Sequence, residues 1–249
     1  MARVLNISAY RFVVLHDAEA LRERIRERAG TAGLKGTVLL AEEGINLFLA
    51  GTADSVHGFV AWLRGDARFA ALQVKESWSA DVPFGRLLVK VKREIIRMNR
   101  PAIEPQRERA AAVDAHTLAR WLDAGHDDAG RPVVTLDTRN AFEVDQGRFA
   151  GAIDWRLGKF SDFPDAAQAH RAALAGKTVV SYCTGGIRCE KAALYLREAG
   201  VDNVLQLDGG ILKYLEETGG RHFEGDCFVF DARERLAADL QPAKAAQAV

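Results

Sequence analysis

Along the first hundred residues the spacing of apolar positions changes several times, and each change marks an element. Leu5 to Tyr10 and Phe12 to Leu15 are dense in apolar residues and predict a strand over 3–15. Leu21, Ile25 and Ala29 then recur every four residues among Arg22, Glu23, Arg24, Arg26, Glu27 and Arg28, as in a helix with one buried stripe. His16-Asp17 offers its cap and Gly33 its end. Two apolar runs, 35–41 and 45–51, flank Glu42-Glu43-Gly44 and read as a hairpin. A second helix over 52–65 and a strand over 72–77 follow. Arg86 to Met98 alternates Leu88, Val89, Val91, Ile95 and Ile96 with basic residues, predicting a last strand exposed on one face.

The order β-α-β-β-α-β is that of a split, ferredoxin-like α+β sandwich. Its helices cover one sheet face and leave the other open, a surface on which single-stranded RNA can lie. Phe48, Trp78 and Phe84 are the aromatics at hand, although core packing is the commoner use of such residues.

The second half has a different grammar. Residues 99–112, with Pro101, Pro105 and several charges, read as a linker. Beyond it, Asp114 to Ala124 is amphipathic through Leu118, Trp121 and Leu122, and Val133 to Asp137 is a buried strand ending in a carboxylate. Strand-like runs at 178–182 and 204–207 alternate with helical ones after them. Such alternation over about 110 residues argues a parallel sheet covered on both faces. The expected organisation is an α+β domain over 1–98, the linker, an α/β domain over 113–223, and an extension over 224–249 whose low-complexity end, from Leu236 on, frays.

Composition changes this picture little. The 249 residues are 48% hydrophobic and 27% charged, as in ordinary globular domains. No apolar run approaches the roughly 20 residues that span a bilayer, and the first residues do not resemble a secretory signal. Three cysteines, two of them in one loop, do not make a disulfide framework, so a cytoplasmic protein is expected. Charge matters more. The chain is neutral overall, but Arg86 to Arg109 carries eight basic residues against three acidic ones. Arg86, Lys90, Lys92, Arg93 and Arg97 form a stripe able to follow a phosphate backbone, unless it is simply a solvated strand.

The chemistry concentrates in Cys183-Thr184-Gly185-Gly186-Ile187-Arg188-Cys189, between the apolar run Thr178-Val179-Val180 and a helical pattern that ends at Gly200. In a strand–loop–helix turn the loop amides and the helix N-terminus converge on one point, and a thiol held there ionises readily. Cys183 is therefore the candidate nucleophile, with Arg188 expected at the far rim of the loop. Cysteine phosphatases place their arginine six residues after the cysteine; here Cys189 takes that position. The six-residue loop from Cys183 to Arg188 has the length found in rhodanese domains, where the cysteine carries a persulfide. Cys189 either resolves an oxidised Cys183 as a disulfide or packs the first helical turn. Cys227, within the apolar Cys227-Phe228-Val229-Phe230, reads as core. No His/Cys cluster has metal-site spacing, and no glycine-rich dinucleotide fingerprint is present, so no metal or organic cofactor is expected.

Asp137-x-Arg139-x-x-x-Glu143, Gly147-x-Phe149-x-Gly151-Ala152, the Cys183 loop and Leu207-x-Gly209-Gly210 resemble the successive signatures of a rhodanese domain. Residues 36–46, 82–87, 183–191 and 227–231 together resemble a narrower group, the bacterial tRNA uridine hydroxylase family, in collinear order over roughly residues 3–235. That resemblance implies oxygen-dependent hydroxylation of the tRNA wobble uridine to 5-hydroxyuridine, with molecular oxygen as co-substrate and Cys183 as the essential, persulfide-type cysteine. The implied partner is tRNA through its anticodon loop, with no DNA and no membrane. Asp137 and Arg139 are expected to pair and brace the loop. Many relatives end in a cysteine-containing tail, which this chain lacks. Two other readings use the same loop: a sulfurtransferase acting on small thiols, and a binding module with a vestigial rhodanese domain. The basic first domain speaks against the former, and the intact loop against the latter.

Overall fold

The computed structural model describes residues 3–243. The chain divides into two compact units, 1–97 with 104–108, and 98–103 with 109–249.

In the first unit β1 (Val4–Phe12), α1 (Ala18–Thr31), β2 (Lys35–Ala41), β3 (Gly44–Gly51), α2 (Ala53–Arg64), β4 (Val74–Ser79) and β5 (Leu87–Val91) follow in order. The sheet order is β4-β1-β3-β2-β5, a ferredoxin-like sheet with β5 added parallel to β2 at its edge. Leu5, Ile7, Val38, Leu40, Ile45, Leu47 and Leu49 face Leu21, Ile25, Val56 and Phe59 from the two helices in one core. Each such side chain, fully buried, contributes about 1.5–3 kcal/mol.

Three expectations change here. Asp17 does not cap α1 through its side chain; its carboxylate is turned to the Arg68 guanidinium, which pulls it from the helix amides. The strand expected over 86–98 ends at Val91, because the chain turns back and buries Ile95. That turn also covers part of the face opposite the helices: Asn46 donates to the Ile95 carbonyl at 3.3 Å, and Glu43 accepts the Ile95 amide at 2.7 Å. Asn6, Asn46 and Ala50 on that face are buried, and Phe48 is half-buried, so the face is not an open aromatic platform. Trp78 packs on the core beneath Arg3.

The second unit holds β6 (Ala112–Val113), α3 (Ala115–Ala124), β7 (Val133–Asp137), α4 (Ala141–Val144), β8 (Gly147–Phe149), β9 (Ile153–Asp154), α5 (Phe163–His170), β10 (Thr178–Tyr182), α6 (Ile187–Glu198), β11 (Val204–Leu207) and α7 (Gly210–Thr218). Asp114 caps α3 by accepting the Thr117 amide at 2.9 Å. The five-stranded sheet, in the order β6-β11-β10-β7-β9, is parallel throughout. β10 lies at its centre with every residue buried, so the loop that follows it opens from the most rigid strand of the unit. Val180, Tyr182 and Phe149 pack with α3 and α7 on one face, and α6 lies on the other, where the Ser181 hydroxyl donates to the Cys189 carbonyl at 3.3 Å.

The stretch 99–112 is not a free linker. Residues 98–103 belong to the second unit and 104–108 to the first, and Ala112 already pairs with Gln206 in the parallel sheet. The extension is not loose either. After β12 (Phe223–Gly225) and β13 (Cys227–Phe228), β14 (Arg235–Leu236) pairs with β13, and the Ala243 amide donates to the Arg235 carbonyl at 3.0 Å. Leu236 is buried, which explains why this low-complexity stretch holds its place. The fraying expected farther on falls on 244–249, outside the described residues.

Candidate active site

The loop after β10 follows from its glycines. Gly186 takes φ +102, a left-handed conformation that favours glycine, and from there α6 begins. The Gly186 amide donates to Cys183 Sγ at 3.1 Å, and the Arg188 and Cys189 amides reach the same sulfur. From outside, the first amides of α7 fix the loop: Ile211 N–H donates to the Cys183 carbonyl at 2.9 Å and Leu212 N–H to the Thr184 carbonyl at 3.1 Å. With its carbonyls occupied there, the loop turns N–H groups toward the sulfur. The fit leaves no room at Gly210, where a Cβ would lie 2.5 Å from the Cys183 oxygen and 2.7 Å from the Gly186 nitrogen.

Cys183 is 1% exposed. Burial alone raises a thiol's pKa, but the hydrogen bond with Cys189, the Arg188 charge and the Cys189 and Arg188 amides outweigh it. The result is a thiol held well below its ordinary range. Cys189 is fully buried and shifts the opposite way, through burial and its neighbour Cys183, so it remains a thiol; its Sγ donates to the Gly186 carbonyl at 3.0 Å. All three cysteines are free. Cys227 lies in the core with its pKa pushed up to about 12 by burial.

Arg188 follows the loop in the first turn of α6. It is buried, and its two terminal nitrogens meet the Glu143 carboxylate at 2.6 and 2.7 Å as a fork. Glu143 also accepts the Asn140 amide at 3.0 Å, which ties the pair to the start of α4. The sequence motif contained Glu143 without a role. Its position three residues after Asn140, the capping-box spacing, was the available signal for the local bond, but nothing local pointed to Arg188, 45 residues on. Asp137 and Arg139 pair at 2.6 Å with both side chains fully buried. Arg139 also donates to the Gly147 carbonyl at 2.6 Å, and its guanidinium lies 5.9 Å from the Tyr182 ring, just before the loop. Thr138 donates to the Tyr182 carbonyl through both its amide and its hydroxyl. The Thr184 hydroxyl is buried with no partner.

Asp208, whose partner the sequence left open, accepts Lys213 at 2.6 Å and Arg109 at 3.2 Å. Arg109 therefore leaves the basic stripe, as do Arg100, paired with Asp165, and Arg107, paired with Glu104. Arg86, Lys90, Lys92, Arg93 and Arg97 are exposed on the first unit, on and around its edge strand β5.

A parallel sheet whose central strand opens into an amide-lined cysteine loop makes the second unit a rhodanese-like domain. Residues 114–217 match the family described as Rhodanese-like domain, and residues 4–95 match the UPF0176 acylphosphatase like domain. The chain is 66% identical over 248 residues to the tRNA uridine(34) hydroxylase of Variovorax paradoxus, covering 100% of this chain and 94% of that one. It is 64% identical over 245 residues to that of Bordetella petrii, covering 98% and 97%. With that of Bordetella avium it shares 62% over 239 residues, 96% and 99% of the two chains. The chain belongs to the tRNA uridine(34) hydroxylase family.

Proposed function

We propose that this chain is a cytoplasmic tRNA-modifying enzyme that hydroxylates the wobble uridine, in the anticodon loop, to 5-hydroxyuridine with molecular oxygen. The observation that carries the reading is the acidified Cys183 in its amide-lined loop, in a chain whose close relatives carry that activity in their names. Uracil C5 is a weak nucleophile by itself. A Cys183 thiolate adding to C6 pushes an electron pair through C5 toward O4, and C5 then attacks an oxygen atom at the peroxide level. Loss of the C5 proton and of the thiolate restores the ring. Starting from molecular oxygen, one atom enters C5 and the other leaves as water, the two electrons and two protons coming from a pair of external thiols that become a disulfide.

Cys183 and Arg188 carry the reaction in this reading: Arg188 keeps the thiolate charged, while Glu143 positions Arg188. Thr184, Gly185, Gly186, Ile187 and Cys189 shape the loop, and the Thr184 hydroxyl is a donor for what enters it. Asp137 and Arg139 brace the strand end behind it. Arg86, Lys90, Lys92, Arg93 and Arg97 hold the tRNA backbone by charge. A wobble base sits in a single-stranded loop, so extruding it costs little beside flipping a paired base.

Nucleoside mass spectrometry of tRNA tests this in cells lacking the gene, complemented with wild type or with Cys183→Ala. 5-Hydroxyuridine should return with wild type only. Its return with Cys183→Ala would end the cysteine mechanism, and its persistence without the gene would leave the loop to sulfur transfer.

A further inference from the structure

Beside the loop stand three phenylalanines that neither the sheet core nor the reaction uses. Phe142 opens onto solvent from α4, 48% exposed, and Phe230 is 50% exposed, while Phe228 lies half-buried between them. The rings meet edge to face: Phe142 and Phe228 at 5.2 Å, Phe228 and Phe230 at 5.1 Å, Phe142 and Phe230 at 6.5 Å. Edge-to-face packing holds each ring by its neighbours and is itself stabilising. Two half-exposed rings in one patch are unusual on a surface with nothing to bind.

The patch is continuous with the reactive loop. The Arg188 guanidinium lies 5.8 Å from the Phe230 ring centre, and Phe142 immediately precedes Glu143, the carboxylate that grips Arg188. Exposed aromatic rings beside the reactive loop suit an occupant that is flat and polarisable. A nucleobase is such a group, because every base offers a π-face to an aromatic ring.

We propose that Phe230 stacks on a nucleobase next to the reacting uridine in the single-stranded RNA loop, and that Phe142, its ring plane at 90° to that of Phe230, meets the same base edge-on. The proposal deepens the reading given above and rests on it for the identity of the RNA. The target base goes to Cys183, and its neighbour is held on the rings, which fixes how far the target must reach. Phe142 and Phe230 are thus positioning residues, and Phe228 supports them.

The test uses the full chain and a synthetic RNA anticodon stem–loop. Affinity is read by fluorescence anisotropy and product by mass spectrometry. Phe230→Ala should weaken RNA affinity about 5- to 150-fold, the range seen when one stacking ring is removed, and Phe142→Ala about 2- to 12-fold, the range of an edge-to-face contact. They should raise KM more than they lower kcat, and Phe230→Trp should restore affinity. Removing the base beside the target, as an abasic nucleotide, should weaken wild type by a similar factor and add little to Phe230→Ala. The rate at which iodoacetamide alkylates Cys183 checks that the loop beneath is intact. Unchanged affinity in both alanine variants would overturn the proposal. So would additive losses for variant and abasic RNA. If wild type binds the stem–loop through these rings yet forms no 5-hydroxyuridine, the platform stands and the hydroxylase reading falls.

Discussion

Replacing Glu143 by Gln isolates the buried fork that holds Arg188. Glu143 is fully buried and Arg188 5% exposed, and the two bonds between them are 2.6 and 2.7 Å. The substitution keeps the shape but removes the carboxylate that gives the buried guanidinium most of its compensation. Removing one partner from such a pair costs about 3–5 kcal/mol, since the remaining charge loses its compensation but stays out of water. For a domain of this size each kcal/mol moves Tm by roughly 2–4 °C, so the transition of the rhodanese-like unit should fall by about 6–20 °C. The double variant Glu143→Leu/Arg188→Met removes both charges and should be more stable than either single change. Arg188 survives in Glu143→Gln, so Cys183 should keep its acidity there and lose it in the double variant, whose iodoacetamide pH profile should move toward that of an ordinary thiol. Calorimetry and that profile read the two effects separately. A fall of less than about 2 °C, with a double variant no better than the sum of the singles, would refute the claim that this pair holds the loop.

Four further outcomes are expected. The alkylation rate of Cys183 should fall off with decreasing pH at a lower pH than that of an ordinary thiol, while Cys227, raised to about 12 by burial, stays unmodified in the folded chain. Its folded pKa lies below the unfolded value near 8.5, so the stability it adds is complete above that pH and is lost as pH falls toward the folded value; denaturant titrations of wild type and Cys183→Ala at pH 6 and 9 should differ accordingly. Gly210→Ala combines φ +68 with a Cβ 2.5 Å from the Cys183 carbonyl, so it should cost at least about 1–2 kcal/mol and abolish hydroxylation, measured by chemical denaturation and nucleoside analysis. Replacing Lys90, Lys92 and Arg93 by Gln should flatten the slope of log tRNA affinity against log salt by as many as two to three while leaving Cys183 alkylation unchanged, and an unaltered slope would remove the stripe from the tRNA contact.

Most of the loop was legible because it is local. Strand, Cys183, glycines and helix occupy adjacent positions, and the backbone alone brings the amides to the sulfur. The bond between Asp137 and Arg139 was legible for the same reason, two residues apart. What sequence spacing did not carry was contact across the fold. Glu143 reaches Arg188 only because β7 and β10 are neighbours in the parallel sheet, and Asp17 leaves its helix because Arg68 arrives from another element. The edge strand was overextended because apolar alternation persists through Ile95 and Ile96 although the chain has already turned. The stretch from Leu236 read as frayed because its alanines carry no pattern, yet as far as Ala243 one buried leucine, Leu236, and a short pairing with β13 hold it.

The α7 amides on the Cys183 and Thr184 carbonyls also bear on how such a loop diverges among proteins. They come from residues more than twenty positions downstream, so the loop's length is matched to a turn it never touches in sequence. An extra residue between Thr184 and Arg188 would leave the Cys183 and Thr184 carbonyls held by Ile211 and Leu212, so the added backbone would have to be taken up beside Gly186, where Gly210 leaves no room. A longer loop on this frame therefore calls for a compensating change at the Gly209-Gly210 turn.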